Sequence, residues 1–447
     1  MRAHVRERAR DRRHNADRVA RGDRDYEGVQ VRVVRHARVG VSAWVACAGE
    51  VYCPPSRGGN RAEAACLDYD TPRRDRRPAG HSGGESSMGY RVGVAGLRRG
   101  WALASVASMF DEVELVAACD LEPVLLDRAR AEFGVEAGYE EYEAFAAHDM
   151  DAVIVATPPH LHAEHSVAAL EAGQHVLCEV PMIYGDAADD VMGQARSLVS
   201  AVEAADTVFM FAENSNYWWW VGDWRERVAR GELGDLTYVE AEYVHDCRSI
   251  MRYEDGRLTW RASMAPQYYC THSLGPVLEW TGDRIVSAIG AQTTRTCDPE
   301  LPGADMEVAL FTTESGVLIK LLCGFQVARS GAHHYFSAFG TQGCLETSRE
   351  GPRARGQAGT EDAPQFREIP FAHDHPNAPP GAEVGGHGTA EYYMVADFLR
   401  AVRGDGPPAI DVYAGLDMTL PGVFAHESAM RGGERVWVPD LRAGVGA

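Results

Sequence analysis

The chain has 447 residues, 45% of them hydrophobic, and a formal net charge of -21. This length exceeds what one hydrophobic core usually organises, so about two or three domains are expected. The acidic balance argues against nucleic acid as the main partner, and no run approaches the roughly 18 apolar residues that span a bilayer, so a membrane partner is not expected either.

The ten cysteines stand singly, without a Cys-x-x-Cys pair, and no secretory signal precedes them. Reduced thiols in a cytoplasmic protein are the simplest interpretation. No two cysteines have the spacing of zinc ligands, and no metal site is predicted.

The first 87 residues differ in composition from the rest of the chain. They contain 18 arginines, no lysine and 12 acidic residues, which gives this stretch a charge of +6 and leaves -27 for the remainder. Their lack of periodicity is typical of disorder. The acidic residues disfavour a transit peptide, and a nucleic-acid-binding arm is a further alternative. We expect residues 1–87 to be a disordered or misassigned extension, with Met88 as the true start.

From residue 90 onward, predicted strands alternate with predicted helices. Strands are expected at residues 90–95, 113–119, 152–156 and 175–180, and helices at residues 122–133 and 162–172, the last closed by Gly173. Such alternation predicts a parallel sheet with crossover helices. We therefore expect an α/β chain in which residues 88–213 form an N-terminal Rossmann dinucleotide-binding domain.

The pattern changes after about Asn214. Strands are expected at residues 236–245, 286–293, 308–313, 317–325 and 335–339, with a hairpin turn at 314–316, a long loop at 351–386 and helices at 391–402 and 414–430. This order predicts a large, open, mostly antiparallel sheet with helices on one face. We expect residues 214–447 to form a C-terminal α/β domain for substrate binding and oligomerisation.

A glycine loop follows the first predicted strand, in the sequence YRVGVAGLRRG at residues 90–100. A strand that runs into glycines and a helix is how a dinucleotide pyrophosphate is usually received. The residues expected to contact it are Gly96, Leu97, Arg98, Arg99 and Gly100. The middle glycine of the usual motif is missing, so a plain strand-to-helix turn is the alternative.

Asp120 ends the second predicted strand, 24 residues after Gly96. A carboxylate at this place accepts hydrogen bonds from the adenosine ribose and repels a 2′-phosphate. NAD is therefore favoured over NADP, although either Arg98 or Arg99 could reach such a phosphate.

The segment DAVIVATPPHLHAEHSVAALEAGQHVLCEVP at residues 151–181 resembles the Gfo/Idh/MocA oxidoreductases. The resemblance lies in a strand ending in Thr-Pro, a histidine that opens the next helix, and the Gly-x-His-Val-Leu-Cys-Glu-x-Pro element. It implies an NAD(P)-binding Rossmann domain followed by an α/β domain with an open sheet. The cofactor contacts that it implies are Thr157, Pro158, His162, Glu179 and Asn214.

One position departs from the family pattern. The usual triplet is Glu-Lys-Pro, and its lysine lies near the nicotinamide and the substrate hydroxyl, whereas this chain has Glu179-Val180-Pro181. Valine can neither donate a proton nor hold a charge. The ordinary dehydrogenase mechanism of the family therefore does not carry over at Val180.

The second half resembles a branch of this family that contains NAD-dependent glycosidases and that also tends to carry Glu-Val-Pro. The matching motifs are Trp260-Arg261, the Tyr-x-Thr-His element from Tyr269 to His272, and Gly-His-Gly at 386–388. A histidine titrates near neutral pH and suits removal of a hydroxyl proton, so His272 is the candidate base. Tyr269 could assist proton transfer, and Arg261 could polarise an oxygen or hold an anionic group.

Three functions remain open from the sequence. The first is an NAD-dependent oxidoreductase that moves hydride to or from a carbinol carbon of a sugar or sugar-like substrate. The second is a redox-neutral glycoside hydrolase that oxidises, eliminates, adds water and reduces, and Val180 favours it. The third is an NAD-binding regulator without turnover, because a fold does not fix a function. The resemblance also implies a homodimer or homotetramer.

Overall fold

The structure is a computed structural model that describes residues 89–185, 187–329, 331–359 and 365–443. The expectation for residues 1–87 lies outside the described residues. Two β-sheets organise the described part of the chain, one of six strands and one of nine. Within that part, no helix is long and apolar enough to cross a membrane.

The six-stranded sheet is parallel throughout and has the order β3-β2-β1-β4-β5-β6. Its strands are β1 (Tyr90–Ala95), β2 (Val113–Cys119), β3 (Ala137–Tyr139), β4 (Ala152–Val155), β5 (His175–Cys178) and β6 (Phe209–Phe211). The helices are α1 (Gly100–Ala107), α2 (Pro123–Phe133), α3 (Tyr142–Ala146), α4 (His162–Glu171) and α5 (Ala188–Ala204). The four predicted strands and the two predicted helices are confirmed. The short strands β3 and β6 and the helices α3 and α5 were not predicted.

The nine-stranded sheet has the order β14-β13-β12-β11-β7-β10-β9-β8-β15, and only the β7/β10 pair in it is parallel among the described residues. Its strands are β7 (Leu236–Val244), β8 (Ile285–Gln292), β9 (Met306–Thr313), β10 (Leu318–Gly324), β11 (His333–Gly340), β12 (Gly343–Thr347), β13 (Ala354–Ala358), β14 (Arg367–Ile369) and β15 (Val436–Trp437). The accompanying helices are α6 (Trp219–Ala229), α7 (Thr271–Thr281), α8 (Ala390–Val402) and α9 (Val412–Met430). The mostly antiparallel sheet and the two closing helices are confirmed.

The expectation of one long loop at residues 351–386 is wrong. Two strands of this sheet, β13 and β14, lie within it, and β13 pairs with β12. These two strands have the sequences ARGQA and REI, so polar side chains hide the alternation that marks a strand. Backbone pairing sets their conformation, β13 with β12 and β14 with β13, and no periodicity in the sequence reports such pairing.

Helix α8 belongs in sequence to the second half but packs into the core of the first sheet. Its residues Met394 and Phe398 are buried in the same cluster as Val92 of β1 and Leu103 of α1. The segment just before α8 is thereby fixed beside the glycine loop. The division of the chain after residue 213 stays a prediction.

Helix α9 lies against β8 at very short range, and Gly290 makes this possible. A Cβ built on Gly290 would lie 1.9 Å from the carbonyl oxygen of Ala425. Backbone atoms cannot yield as a flexible side chain does, so the helix and the strand would have to separate.

We expect Gly290→Ala to lower the free energy of unfolding by about 2 kcal/mol or more, because it overpacks a backbone contact. The matched control is Gly193→Ala in α5, where a Cβ meets no atom within 4 Å. That change should raise the stability by about 0.5 kcal/mol, because alanine favours a helix. Urea unfolding of both variants measures the difference, and equal midpoints would contradict this account of the contact.

Candidate active site

Gly96 and Gly100 shape the loop at the point where the strand order of the first sheet reverses, between β1 and β4. Gly96 has φ of 85°, and a Cβ there would lie 2.4 Å from the carbonyl oxygen of Ala156. The Gly100 N–H donates to the Gly96 carbonyl over 3.0 Å, and α1 begins at Gly100. A glycine turn, a helix N-terminus and a strand switch point together fit the pyrophosphate of a dinucleotide.

Asp120 follows β2 and receives two backbone N–H groups. Leu97 N donates to Oδ2 over 2.7 Å and Glu122 N donates to Oδ1 over 2.9 Å. Each carboxylate oxygen retains a further lone pair, so ribose hydroxyl groups can still donate to Asp120. Arg98 is exposed and forms an ion pair with Glu122, so a carboxylate already partners one of the two arginines that could have bound a 2′-phosphate.

Thr157 and Pro158 follow β4, and His162 opens α4 beneath them. The buried His162 ring has Nε2 2.5 Å from the Thr157 carbonyl oxygen and Nδ1 2.8 Å from the Pro181 carbonyl oxygen. Burial lowers the pKa of His162 despite these two acceptors. The ring therefore ties the loop after β4 to the loop after β5, and it positions the Thr157-Pro158 turn rather than facing a ligand.

Arg99 turns away from the Asp120 side of the loop. Its Nε donates to Glu179 Oε1 over 2.7 Å and its Nη2 to Glu391 Oε1 over 2.9 Å. Burial lowers the pKa of Arg99, but the two carboxylates outweigh it and raise the pKa overall. Glu179 follows β5, and its Oε2 accepts the Val180 N–H over 3.0 Å. Arg99 is thus unable to serve a 2′-phosphate.

Asn214 and His387 meet at Glu391, which is fully buried in α8. Asn214 Nδ2 donates to Glu391 Oε1 over 3.2 Å, and His387 Nδ1 lies 2.6 Å from the same oxygen. Burial raises the pKa of Glu391, but His387 and Arg99 outweigh it and hold the pKa well below its ordinary value. The buried Oδ1 of Asn214 has no hydrogen-bond partner among the described residues, so it is free to receive a ligand donor.

His272 lies in the first turn of α7 and is paired with Glu213, the residue before Asn214. Nδ1 of His272 lies 2.7 Å from Glu213 Oε1, and both side chains are buried. Burial lowers the pKa of His272, but Glu213 raises it more, so the net direction is upward. The same pairing lowers the pKa of Glu213 against the effect of burial. The contact uses Nδ1 and leaves Nε2 for proton transfer.

Aromatic rings surround His272. The ring centre of Tyr269 lies 5.2 Å away, that of Tyr243 5.5 Å, that of His387 6.3 Å and that of His334 6.4 Å. Burial raises the pKa of Tyr269, which stays protonated at neutral pH. His334 stacks on Tyr243, and burial lowers its pKa far enough to keep it neutral.

Arg261 lies in a short 3-10 turn and is held by a ring. Its guanidinium carbon is 4.2 Å from the centre of the Trp260 ring. Its charge opposes the effect of burial on the pKa of Tyr269. Arg261 thus acts electrostatically on Tyr269. Asp120 follows β2, whereas Glu179, the partner of Arg99, follows β5 on the other side of β1.

Three residues of this site, Glu213, His387 and Glu391, were not assigned a role from the sequence. Glu213 follows β6, which is too short to show periodicity, although an acid at the carboxyl end of a parallel strand is a usable signal. His387 was seen only as part of Gly-His-Gly. Glu391, four residues later, is its partner, and an i, i+4 spacing of histidine and glutamate would have suggested that pair.

Comparison with known proteins identifies the first domain. Residues 90–212 match the Gfo/Idh/MocA family, described as an oxidoreductase family with an NAD-binding Rossmann fold. A protein of Solibacter usitatus (strain Ellin6076), named glycosyl hydrolase family 109 protein, is 27% identical over 396 residues. These cover 79% of this chain and 88% of that protein.

Solved structures match across both sheets. An oxidoreductase domain protein from Kribbella flavida superposes with a TM-score of 0.66 at 22% identity, over 79% of this chain and 100% of that one. A levoglucosan dehydrogenase in complex with NADH and L-sorbose superposes with a TM-score of 0.66 at 20% identity, with the same coverage. These likenesses establish the α/β fold of the described residues. The chain carries, over residues 90–212, the NAD-binding Rossmann domain of the Gfo/Idh/MocA oxidoreductase family.

Proposed function

We propose that this chain uses NAD to oxidise a carbinol carbon of a sugar or sugar-like substrate and returns the hydride within the same cycle. The net reaction is then hydrolysis of a glycosidic bond. The observation that supports it is a pair of carboxylate-bound histidines, His272 with Glu213 and His387 with Glu391, whose rings lie 6.3 Å apart. The relative named glycosyl hydrolase family 109 protein supports the same outcome.

Two acid–base groups match what this reaction needs. When NAD is bound, it supplies the hydride acceptor and later the hydride donor. In the first step a base takes the hydroxyl proton while the carbinol hydrogen leaves as hydride. The ketone acidifies the neighbouring C–H, so a base removes that proton and an acid protonates the departing glycosidic oxygen. Water addition and reduction reverse these transfers, and no net oxidant is consumed.

The residues divide between these tasks by position. We assign the hydroxyl proton to Nε2 of His272, whose Nδ1–H is held by Glu213. His387 lies across the same space and serves the second proton transfer, with Glu391 as its partner. Tyr269 stays protonated and donates a hydrogen bond to the reacting oxygen, and Arg261 binds the outer part of the substrate.

The cofactor assignments follow the same geometry. We propose that the loop Gly96–Gly100 receives the pyrophosphate, that Asp120 binds the adenosine ribose, and that the nicotinamide end lies toward Glu179 and Asn214. Thr157 and Pro158 contact the cofactor between the adenosine ribose and the nicotinamide, and His162 packs behind the Thr157-Pro158 turn.

A dehydrogenase that releases oxidised sugar and NADH is the second candidate. It is supported by the shared fold of the levoglucosan dehydrogenase that binds NADH and L-sorbose. It shares the oxidation step with the first candidate, and then releases the ketone and NADH instead of eliminating the glycosidic oxygen, adding water and returning the hydride. A regulator without turnover is disfavoured, since two histidine–glutamate pairs around one space suit proton transfer rather than binding alone.

The decisive measurement follows NADH absorbance and released aglycone together, on a panel of glycosides and polyols. We expect aglycone without net NADH, and solvent deuterium at the carbon next to the oxidised one. Net NADH would instead support the dehydrogenase, and NAD binding with neither signal would support the regulator.

We expect His272→Gln to lower kcat by about a hundredfold or more, because it removes an acid–base group, while NAD binding is retained. The matched control is His148→Gln. His148 lies in the loop that precedes β4, and its ring contacts Tyr139 of β3. Turnover equal to that of the unaltered enzyme in the His272 variant would exclude its role.

The pH dependence of catalysis tests the effect of Glu213 on the pKa of His272. His272 acts as a base only when Nε2 is unprotonated, and its pKa lies above the ordinary value of about 6.5. Among its neighbours, Glu179 also raises this pKa and Arg99 lowers it. Glu213→Gln removes the charge, so burial prevails and the pKa falls.

We therefore expect kcat/KM to rise with pH through a midpoint above about 6.5, and Glu213→Gln to move that midpoint to lower pH. An NMR titration of the imidazole resonances checks the same shift without turnover. A midpoint that stays in place or moves upward in the variant would be inconsistent with this pairing.

We also propose that a cytoplasmic homodimer, or a tetramer built from it, forms through the open face of the nine-stranded sheet. Leu310 and Leu318 are 41% and 40% exposed, and Val308 and Leu322 lie directly opposite each other on the same face. This face is mixed, because Lys320 lies opposite Leu310 and Thr312 lies opposite Leu318. The exposed leucines grouped on it are what supports an interface there. The free cysteines among the described residues suit a reducing compartment.

Light scattering coupled to size exclusion tests this interface. We expect Leu310→Glu with Leu318→Glu to lower the molar mass toward that of one chain, because two buried charges would face each other. Val124→Glu, at an exposed position of α2, is the control and should leave the mass unchanged. An assembly that survives the double change would place the interface elsewhere.

A further inference from the structure

Arg99 joins three parts of the chain that are far apart in sequence. It lies in the glycine loop, and its Nη1 donates to the Gly385 carbonyl oxygen over 3.0 Å, in addition to its contacts with Glu179 and Glu391. Nitrogens at all three corners of the planar guanidinium are thus engaged. The loop that receives the dinucleotide is bound directly to the segment 385–391.

That segment carries His387, and Glu391 fixes it. Besides the Nδ1 contact, the backbone N–H of His387 donates to Glu391 Oε2 over 3.3 Å. Gly385 packs so closely on Glu391 that a Cβ there would lie 2.5 Å from the Glu391 Cβ. The position of the His387 ring therefore depends on Glu391, and the position of the Glu391 carboxylate depends on Arg99.

Two buried carboxylates need the cation of Arg99 between them. Glu179 and Glu391 are 4% and 0% exposed, and Arg99 lies between them. Without its cation, a buried carboxylate pair is strongly unfavourable, so one group would take up a proton or move. Lysine cannot replace the arginine fully, because a single ammonium cannot match the fork that reaches two carboxylates and a carbonyl.

We propose that Arg99 is a positioning residue that couples dinucleotide binding to the placement of His387. A dinucleotide that orders the glycine loop thereby also orders the segment 385–391. In the reverse direction, loss of the Glu391 charge makes the glycine loop less ordered and weakens cofactor binding. The catalytic meaning of this coupling rests on the function proposed above, since His387 takes its role from it. The coupling itself does not require turnover.

Hydrogen exchange gives a readout that needs no substrate. In the unaltered protein, we expect NAD to slow exchange of the backbone amides of residues 385–391, and Arg99→Gln to abolish that protection. Arg99→Lys should restore part of it, because lysine keeps the charge. Protection of these amides by NAD in Arg99→Gln equal to that in the unaltered protein would overturn the proposal.

NADH fluorescence titration tests the reverse direction. Arg99→Gln should weaken NADH binding by about tenfold or more, and Glu391→Gln should weaken it severalfold although Glu391 lies on α8. Combined, the two changes should weaken binding no more than Arg99→Gln alone, since they remove one shared contact. Fully additive effects would contradict the coupling.

The control is Arg403→Gln, which removes an exposed ion pair between the end of α8 and Glu112, away from the site. It should change neither NADH binding nor exchange at residues 385–391. Thermal unfolding verifies that each variant folds, and if Arg99→Gln does not, Arg99→Lys and Glu391→Gln carry the test. Coupling without turnover on the glycoside panel would contradict the proposed function and leave this inference intact.

Discussion

Three buried carboxylates surround one space in this chain, and the pairing of each with a base or a cation determines how the site is arranged. Glu213 holds His272, Glu391 holds His387, and Arg99 lies between Glu391 and Glu179. A carboxylate taken out of water without a partner is strongly unfavourable, so these contacts cannot be relaxed singly. Because the partners come from both halves of the chain, the same pairs fix the positions of the glycine loop, β6, α7 and α8 relative to one another.

The sheet topology explains why these groups meet. Glu179 and Glu213 follow β5 and β6, whose carboxyl ends lie at one edge of the parallel sheet. Helix α8 packs its apolar face into the core of that sheet, which brings Glu391 to the same edge. His272 then enters from the first turn of α7. Open α/β sheets generally bind ligands in the crevice outside the strand ends, which is where these groups meet. The proposed function places the dinucleotide and the substrate together in that crevice.

Much of the fold was predictable because its signals are local. The apolar strands β1, β2 and β4 and the helix stop at Gly173 need only neighbouring residues to form, and the spacing from Gly96 to Asp120 lies within one βαβ unit. The polar strands β13 and β14 were not predicted, because pairing with neighbouring strands, β12 for β13 and β13 for β14, sets their conformation. Contacts across the chain, such as Arg99 with Glu391, have no local signal, since 292 positions separate the two residues.

The charges that surround Val180 bear on the absence of a lysine at this position. The Gfo/Idh/MocA pattern usually has a lysine there, which can both hold charge and release a proton. Here the fixed charge beside Glu179 comes from Arg99, and a guanidinium does not release its proton at any pH where the protein is folded. Under the proposed function, charge and proton transfer are thus divided between different residues, and the proton transfers are assigned to two histidines. Each histidine has its own carboxylate, so the proposed cycle can use one as the proton acceptor and the other as the donor, which a single lysine could not do.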